Sequence, residues 1–174
     1  MKQKRLLFDI VIQALLGLYV FGLFKVILFK FGTIDVPFLY RQLRRNLANP
    51  HYIASRLNEG NLIPFHEISK SFHVFSSHLL YNLLGNIVIF IPYGILLGLL
   101  SINKRKLSFV DALLCSFGLS LCLECAQTVF SIGIFDVDDL ILNSCGGLIG
   151  WIAFRLCAKF KVAVPNSLTK PSES

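Results

Sequence analysis

Charge is scarce in this chain, and so are the features of a small soluble domain. Charged residues make up 16% of the 174 residues and hydrophobic residues 55%, whereas a soluble domain carries about 25% charged residues. The mean hydropathy is +0.66. A soluble fold of this length could bury one core, but not several long apolar runs separated by short polar loops. The composition excludes an ordinary soluble domain and indicates a membrane protein.

Signals for disulfides, zinc and nucleic acid are also missing. The five cysteines are odd in number and fall in or beside apolar runs, and one C-x-x-C pair, Cys122 and Cys125, has no partner pair at zinc-ribbon distance. The four histidines include no H-x-x-x-H pair. The net charge of +7 comes from basic residues that flank apolar runs, so we expect no nucleic-acid partner.

Four apolar runs dominate what is present. About 20 apolar residues cross the hydrocarbon core as a helix, which predicts spans at 6–29, 79–100, 107–130 and 139–160. The first run is too long for a cleaved signal peptide. We expect an all-α, polytopic membrane domain at 1–164 with four transmembrane helices, a long loop at 31–77 and a disordered tail at 165–174.

Basic residues mark one side of this domain. They precede the first span at 2–5, fill the loop at 104–106 and follow the fourth span at 155–161, while the loop at 131–138 has aspartates and no base. The positive-inside rule therefore predicts cytoplasmic N and C termini. The loop at 31–77 is then external despite its arginines, because long loops are weaker signals. Its mixed composition suits a helix in the interface plane.

Glycine pairs four residues apart occur in two spans. Gly94 and Gly98 lie in the second span, and Gly146 and Gly150 lie in the fourth. This spacing lets helix backbones approach closely, so both pairs are candidate contacts between helices or between protomers of an oligomer. Pro92 removes a backbone donor and predicts a kink in the second span.

Polar side chains within the spans form three pairs. Spacings of three or four residues place each pair on one helix face: Asn82 and Asn86, Glu124 and Gln127, Asp139 and Asn143. All six fall in the predicted outer half of the membrane, near Asp136 and Asp138. We predict one polar pocket that opens outward, the alternative for the amides being structural bonds between helices. Glu124 is the strongest functional candidate, because a carboxylate in a span requires a cation, a partner or a proton-transfer role.

Four short motifs follow one another along the chain. They are Asn61-Leu62-Ile63-Pro64-Phe65, the segment 85–94 (GNIVIFIPYG), Glu124-x-x-Gln127, and the segment 135–150 that begins Phe135-Asp136-x-x-Asp139. In this order they resemble the VanZ-like family of membrane proteins. The resemblance is strongest over 61–150 and extends to most of the chain.

The resemblance implies a multi-pass protein of the bacterial plasma membrane, in a family named for resistance to teicoplanin, a lipid-tailed glycopeptide that acts on the cell wall. The family's recurring polar positions correspond to Asn61, Asn86, Glu124, Gln127, Asp136, Asp139 and Asn143. Many relatives carry an arginine before the aspartates, where residues 131–134 have none. Candidate substitutes on the same predicted side are Arg41, Arg44, Arg45 and Arg56.

Three classes of function fit these residues. The first, which we favour, is a membrane factor without a cofactor that binds a membrane lipid or a lipid-like or glycopeptide ligand. The second is an enzyme acting on a lipid head group, with Glu124 as general base and Asp136 and Asp139, joined by Glu124 if needed, holding Mg²⁺ or Ca²⁺. The third is a small transporter component, gated at the kinked second span.

Overall fold

The computed structural model describes residues 2–29, 32–74, 77–103 and 107–167. These residues form seven helices: α1 (Lys2–Phe29), α2 (Val36–Ala48), α3 (His51–Glu59), α4 (His66–Val74), α5 (Ser77–Leu100), α6 (Phe109–Val129) and α7 (Val137–Ser167). The described ranges contain no strand, and an isolated bridge joins Asn61 to Asp136. The fold is all-α.

Four of these helices are long and apolar enough to cross a membrane: Lys2–Phe29, Tyr81–Leu100, Phe109–Val129 and Val137–Phe160. At about 1.5 Å per residue, the shortest of them reaches about 30 Å, the thickness of the hydrocarbon core. Large apolar side chains are exposed along their outer faces, among them Leu18 and Val88. The prediction of an all-α protein with four membrane-spanning helices is confirmed.

The α5–α7 contact is the most extensive in the bundle, and it depends on glycine. A Cβ atom on Gly94 would overlap the carbonyl of Gly147, and one on Gly150 would overlap the carbonyl of Ile91. The other two predicted glycines make equally close contacts: Gly98 with the ring of Phe154 and Gly146 with the carbonyl of Ile87. Both glycine pairs therefore make close contacts between helices of the same chain.

The apolar core lies where α1 and α6 meet α5. Its buried members are Leu23, Leu28, Phe90, Tyr93 and Leu123. The rings of Phe90 and Tyr93 meet edge to face with centroids 5.9 Å apart, a favourable aromatic geometry. The helix α5 continues through Pro92.

Three short helices occupy the long segment for which an interface helix was expected. Asp35 caps α2 by accepting the amide of Phe38 at 2.8 Å. Asn46 is fully buried and donates to the carbonyl of Val129 at 2.7 Å and the hydroxyl of Ser131 at 2.9 Å. These bonds fasten α2 to the carboxyl end of α6, so this segment forms a cap over one end of the bundle.

Some sequence predictions fall where the structure gives no description. The basic loop at 104–106 and residues 168–174 of the predicted tail lie outside the described residues. The first three residues of that tail, 165–167, continue helix α7. Asp9 of α1 accepts a bond from the side-chain amide of Asn103 at 2.9 Å, which ties α1 to the segment that follows α5.

Candidate functional site

A cavity of about 910 Å³ lies at the end of the bundle where α1 and α6 finish and α5 and α7 begin. Its walls include apolar side chains from α1, α4, α5 and α7. Its polar lining consists of Asn61, Glu67, Ser71, Asn82, Asn86, Gln127, Asp136, Asp138 and Asp139. None of the described lining residues is basic. The cavity therefore joins an acidic, amide-rich end to an apolar wall, as a ligand with a polar head and an apolar body requires.

Asp136 organises the start of α7. Its Oδ1 accepts the amide of Asp138 at 2.8 Å, the bond of an N-cap residue. The same oxygen accepts the side-chain amide of Asn61 at 2.8 Å. Two backbone bonds of 2.9 Å, from Asn61 to the Phe135 carbonyl and from Val137 to the Asn61 carbonyl, complete the bridge. The first and fourth sequence motifs are thus in direct contact.

Asp139 lies in the first turn of α7 and faces α5. Its Oδ1 accepts the side-chain amide of Asn86, so the second and fourth motifs also meet. Asn82, one turn before Asn86, is exposed and lines the same cavity. Four of the candidate residues, Asn61, Asn86, Asp136 and Asp139, therefore lie together along the cavity.

Asp138, which the family resemblance left unassigned, has a clear structural role. It is 1% exposed and accepts the backbone amides of Phe65 and Ile68. Phe65 has φ of +66°, and it immediately precedes α4. Asp138 therefore supplies, from α7, the cap that the first turn of α4 would otherwise lack.

Glu124 lies behind the cavity wall. It is 2% exposed, and its Oε2 accepts the backbone amide of Asp136 at 3.0 Å. This bond makes Glu124 a positioning residue for the loop that enters α7. The carboxylate of Glu124 thus supplies the acceptor for a backbone amide at the entry to α7.

The two remaining amides make contacts between helices. Gln127 lines the cavity and donates to the carbonyl of Ile27 on α1 at 3.3 Å. Asn143 is buried away from the cavity and donates to the hydroxyl of Ser120 on α6 at 2.9 Å. Asn143 therefore makes a structural bond between helices, which was the alternative to a place in the pocket. Gln127 does both, because it lines the cavity and bonds α1.

The arginines do not enter the cavity. Arg41 and Arg44 are exposed on α2. Arg45 lies over the ring of Tyr52 at 4.8 Å and bonds the hydroxyl of Ser131 at 3.3 Å. Arg56 donates to the carbonyl of Gly133 at 3.1 Å. In the described part of the chain, these side chains support the end cap and leave the aspartates without an ion pair.

Hydrogen-bond donors stabilise the acidic groups in place of cations. The described ion pairs join Glu67 to Lys70 at 3.4 Å and to His66 at 3.9 Å, and none includes Glu124 or the three aspartates. Amides from Asn61 and Asn86 and helix amino ends face the aspartates instead. Among the described residues, no three His, Cys, Asp or Glu side chains are grouped to hold a metal ion.

Sequence reasoning missed the polar character of the whole buried face of α6. Four buried side chains recur every four residues along it: Ser116, Ser120, Glu124 and Thr128. Serine and threonine in a span gave no separate signal, because each can bond a carbonyl of its own helix. The hydroxyls of Ser116 and Thr128 do so, to Ala112 at 2.9 Å and to Glu124 at 3.0 Å.

Fold and site together define a polytopic α-helical membrane protein with a polar cavity at one end of a four-span bundle. The model of the VanZ/LLP1 family matches residues 16–158, and the chain belongs to that family. It is 29% identical to Protein VanZ of Enterococcus faecium over 147 residues, which cover 84% of this chain and 75% of that protein. No solved structure matches the chain.

Proposed function

We propose that this protein binds a lipid-like ligand in the cavity and thereby contributes to resistance against glycopeptide antibiotics such as teicoplanin, in the plasma membrane of a bacterium. The observation that carries the proposal is the cavity itself, whose acidic and amide groups adjoin an apolar wall. Family membership supports the link to resistance. Binding needs neither a cofactor nor a reacting group, which suits a site where asparagine amides already bond both Asp136 and Asp139.

The proposed orientation places the cavity on the outer side. Basic residues lie at the opposite end of the bundle. They occur in the first turn of α1 and from Arg155 onward in α7, and the positive-inside rule places such residues in the cytoplasm. The arginines of the cap belong to a long segment, which is a weaker signal. A reporter that is active only outside the cytoplasm should work when fused near Ile134 and fail when fused near Lys104.

Asp139→Asn tests the cavity in a susceptible bacterium that expresses the chain. The change keeps the shape of the side chain and removes its charge, so membrane insertion should be retained and resistance to a lipid-tailed glycopeptide lost. Asp9→Asn is the matched control, because Asp9 makes the same kind of bond at the other end of the bundle. Lipids extracted from the purified proteins and identified by mass spectrometry should include a species that the Asp139 variant lacks. Resistance that survives in Asp139→Asn would overturn the proposal.

The alternative is an enzyme that acts on a lipid head group with a divalent cation. Asp136 and Asp139 both line the cavity, and carboxylates are the ligands that Mg²⁺ and Ca²⁺ prefer. In that case chelation should abolish activity, and either ion should raise the melting temperature of the wild type but not of Asp136→Asn. If binding alone is the function, chelation leaves the extracted lipid and the melting temperature unchanged.

A further inference from the structure

A second cleft runs along the lipid-facing side of the bundle between α1 and α5. It has a volume of about 380 Å³. Its lining is apolar except for one tyrosine: Leu15, Leu18, Tyr19, Gly22, Leu23, Val26, Ile89 and Leu96. We call this cleft the α1–α5 groove.

The groove adjoins the polar cavity. Val26 and Ile89 line both spaces, which places the α1 carboxyl end of the groove beside the cavity. Along α1 the groove reaches from Leu15 to Val26, a length of about 16 Å at the helical rise. This length is close to half of the roughly 30 Å hydrocarbon core, which is the depth of one leaflet.

A glycine keeps the groove open. No atom lies within 4 Å of the position that a Cβ atom on Gly22 would take. A larger side chain at this residue would therefore project into the groove instead of pressing on α5. The hydroxyl of Tyr19 donates to the carbonyl of Ile89 at 2.6 Å, which holds the two walls at a fixed separation.

We propose that the α1–α5 groove holds the single alkyl chain of an amphiphile whose cationic head group lies in the polar cavity. The inference rests on the proposed function and adds the shape and charge of the ligand. The apolar lining, a length close to the depth of one leaflet, and the two wall residues shared with the cavity fit the acyl or alkyl chain of one amphiphile.

The charge of the cavity selects the head group. Three aspartates line it, no described lining residue is basic, and no described ion pair neutralises those aspartates. Among the described lining residues, a phosphate would meet carboxylates and would find no arginine or lysine of the kind that normally binds it. An ammonium group instead supplies hydrogen-bond donors and the missing positive charge.

The test uses tetradecylamine that carries a photoreactive diazirine in mid-chain, added to the full-length protein in phosphatidylcholine nanodiscs. We expect saturable cross-linking to residues of α1 and α5 that line the groove. Gly22→Leu should raise the half-saturating concentration about tenfold, a change of about 1.4 kcal/mol. The leucine side chain fills part of the groove, and in a bilayer packing contacts hold the alkyl chain there, not exclusion from water. The half-saturating concentration of ethylamine as a competitor should remain unchanged, since two carbons are shorter than the rise of about 6 Å from Val26 at the cavity to Gly22.

Gly17→Leu is the matched control. It lies on the same helix, has open space at its Cβ position and does not line the groove, so its half-saturating concentration should equal that of the wild type. Equal effects of the two leucines would overturn the proposal, as would saturable labelling outside the groove. Tetradecanol with the same diazirine should label weakly, and labelling as strong as that of the amine would overturn the cationic head group.

The outcomes separate this inference from the function on which it rests. If Asp139→Asn abolishes saturable labelling and Gly22→Leu does not weaken it, the cavity binds a head group and the groove inference fails. If Asp139→Asn leaves labelling intact while Gly22→Leu weakens it, the cavity proposal fails and the groove alone binds the chain.

Discussion

The contact of α5 with α7 and the contact of α5 with α1 differ in almost every respect. Against α7, backbone meets backbone at Gly94 and Gly150, with no room for a single added carbon. Against α1, larger side chains such as Leu23 and Phe90 fill the contact, and Gly22 faces open space. The comparison teaches that glycine has two opposite uses in this bundle. It removes space on one side of α5 and creates it on the other.

Gly150→Ala should have the largest effect on stability, because the new Cβ atom would overlap the carbonyl and Cα of Ile91, and a helix backbone cannot move alone. Overpacking of this kind costs about 3 kcal/mol. The measurement is the free energy of unfolding in mixed micelles titrated with a denaturing detergent.

Gly17→Ala on α1 is the control for this first prediction. Its Cβ position is open, and alanine favours a helix over glycine by about 1 kcal/mol. The control should therefore be neutral or stabilising. If both variants lower the free energy of unfolding by a similar amount, the α5–α7 contact at Gly150 is no more tightly packed than the surface of α1 at Gly17.

Much of this fold was predictable because hydropathy, charge and span length are properties of the sequence alone. The apolar runs predicted four spans, and four spans are present. Polar pairs at one predicted depth indicated a shared pocket, and Asn86 and Asp139 of two such pairs are joined by a side-chain bond. Asn61 was a candidate only through the family resemblance, and it bonds Asp136.

Partners across the bundle were harder to predict, because spacing fixes only which residues share a helix face. Asp138 caps α4, some seventy positions earlier in the chain, and Asn46 binds the carboxyl end of α6. Both pairings depend on how the cap folds back over the bundle. The α1–α5 groove was equally hard to predict, because an apolar run does not show in sequence whether its helix packs fully against a neighbour or leaves a groove.

Asn143→Ala should have an intermediate effect. The residue is buried, and its bond to Ser120 joins α7 to α6 at 2.9 Å. Interhelical bonds in membranes contribute about 0.6 kcal/mol on average and about 1.7 kcal/mol at most, so a loss near 1 kcal/mol is expected. Gln127→Ala, which removes the longer 3.3 Å bond to α1, should cost less. A double-mutant cycle of Asn143→Ala with Ser120→Ala measures the pair directly, and a coupling of zero would refute the bond.

Tyr19→Phe should have the smallest effect, and it examines the open side of the comparison. The change removes the hydroxyl that donates to Ile89 at 2.6 Å and keeps the ring that lines the groove. A hydrogen bond of this kind contributes about 0.5–1.5 kcal/mol, and the lower end is expected because apolar contacts of Leu23 and Leu28 still hold α1. Tyr81→Phe on α5 is the control, since Tyr81 is 74% exposed and removal of its hydroxyl should not alter the free energy of unfolding.

A second measurement follows the distance between α1 and α5 with spin labels placed on the two helices. We expect Tyr19→Phe to combine its small loss of stability with a measurable change in this distance. If Tyr19→Phe destabilises the protein as strongly as Gly150→Ala, α1 is held as tightly as α7, and the contrast between a closed and an open side of α5 is wrong.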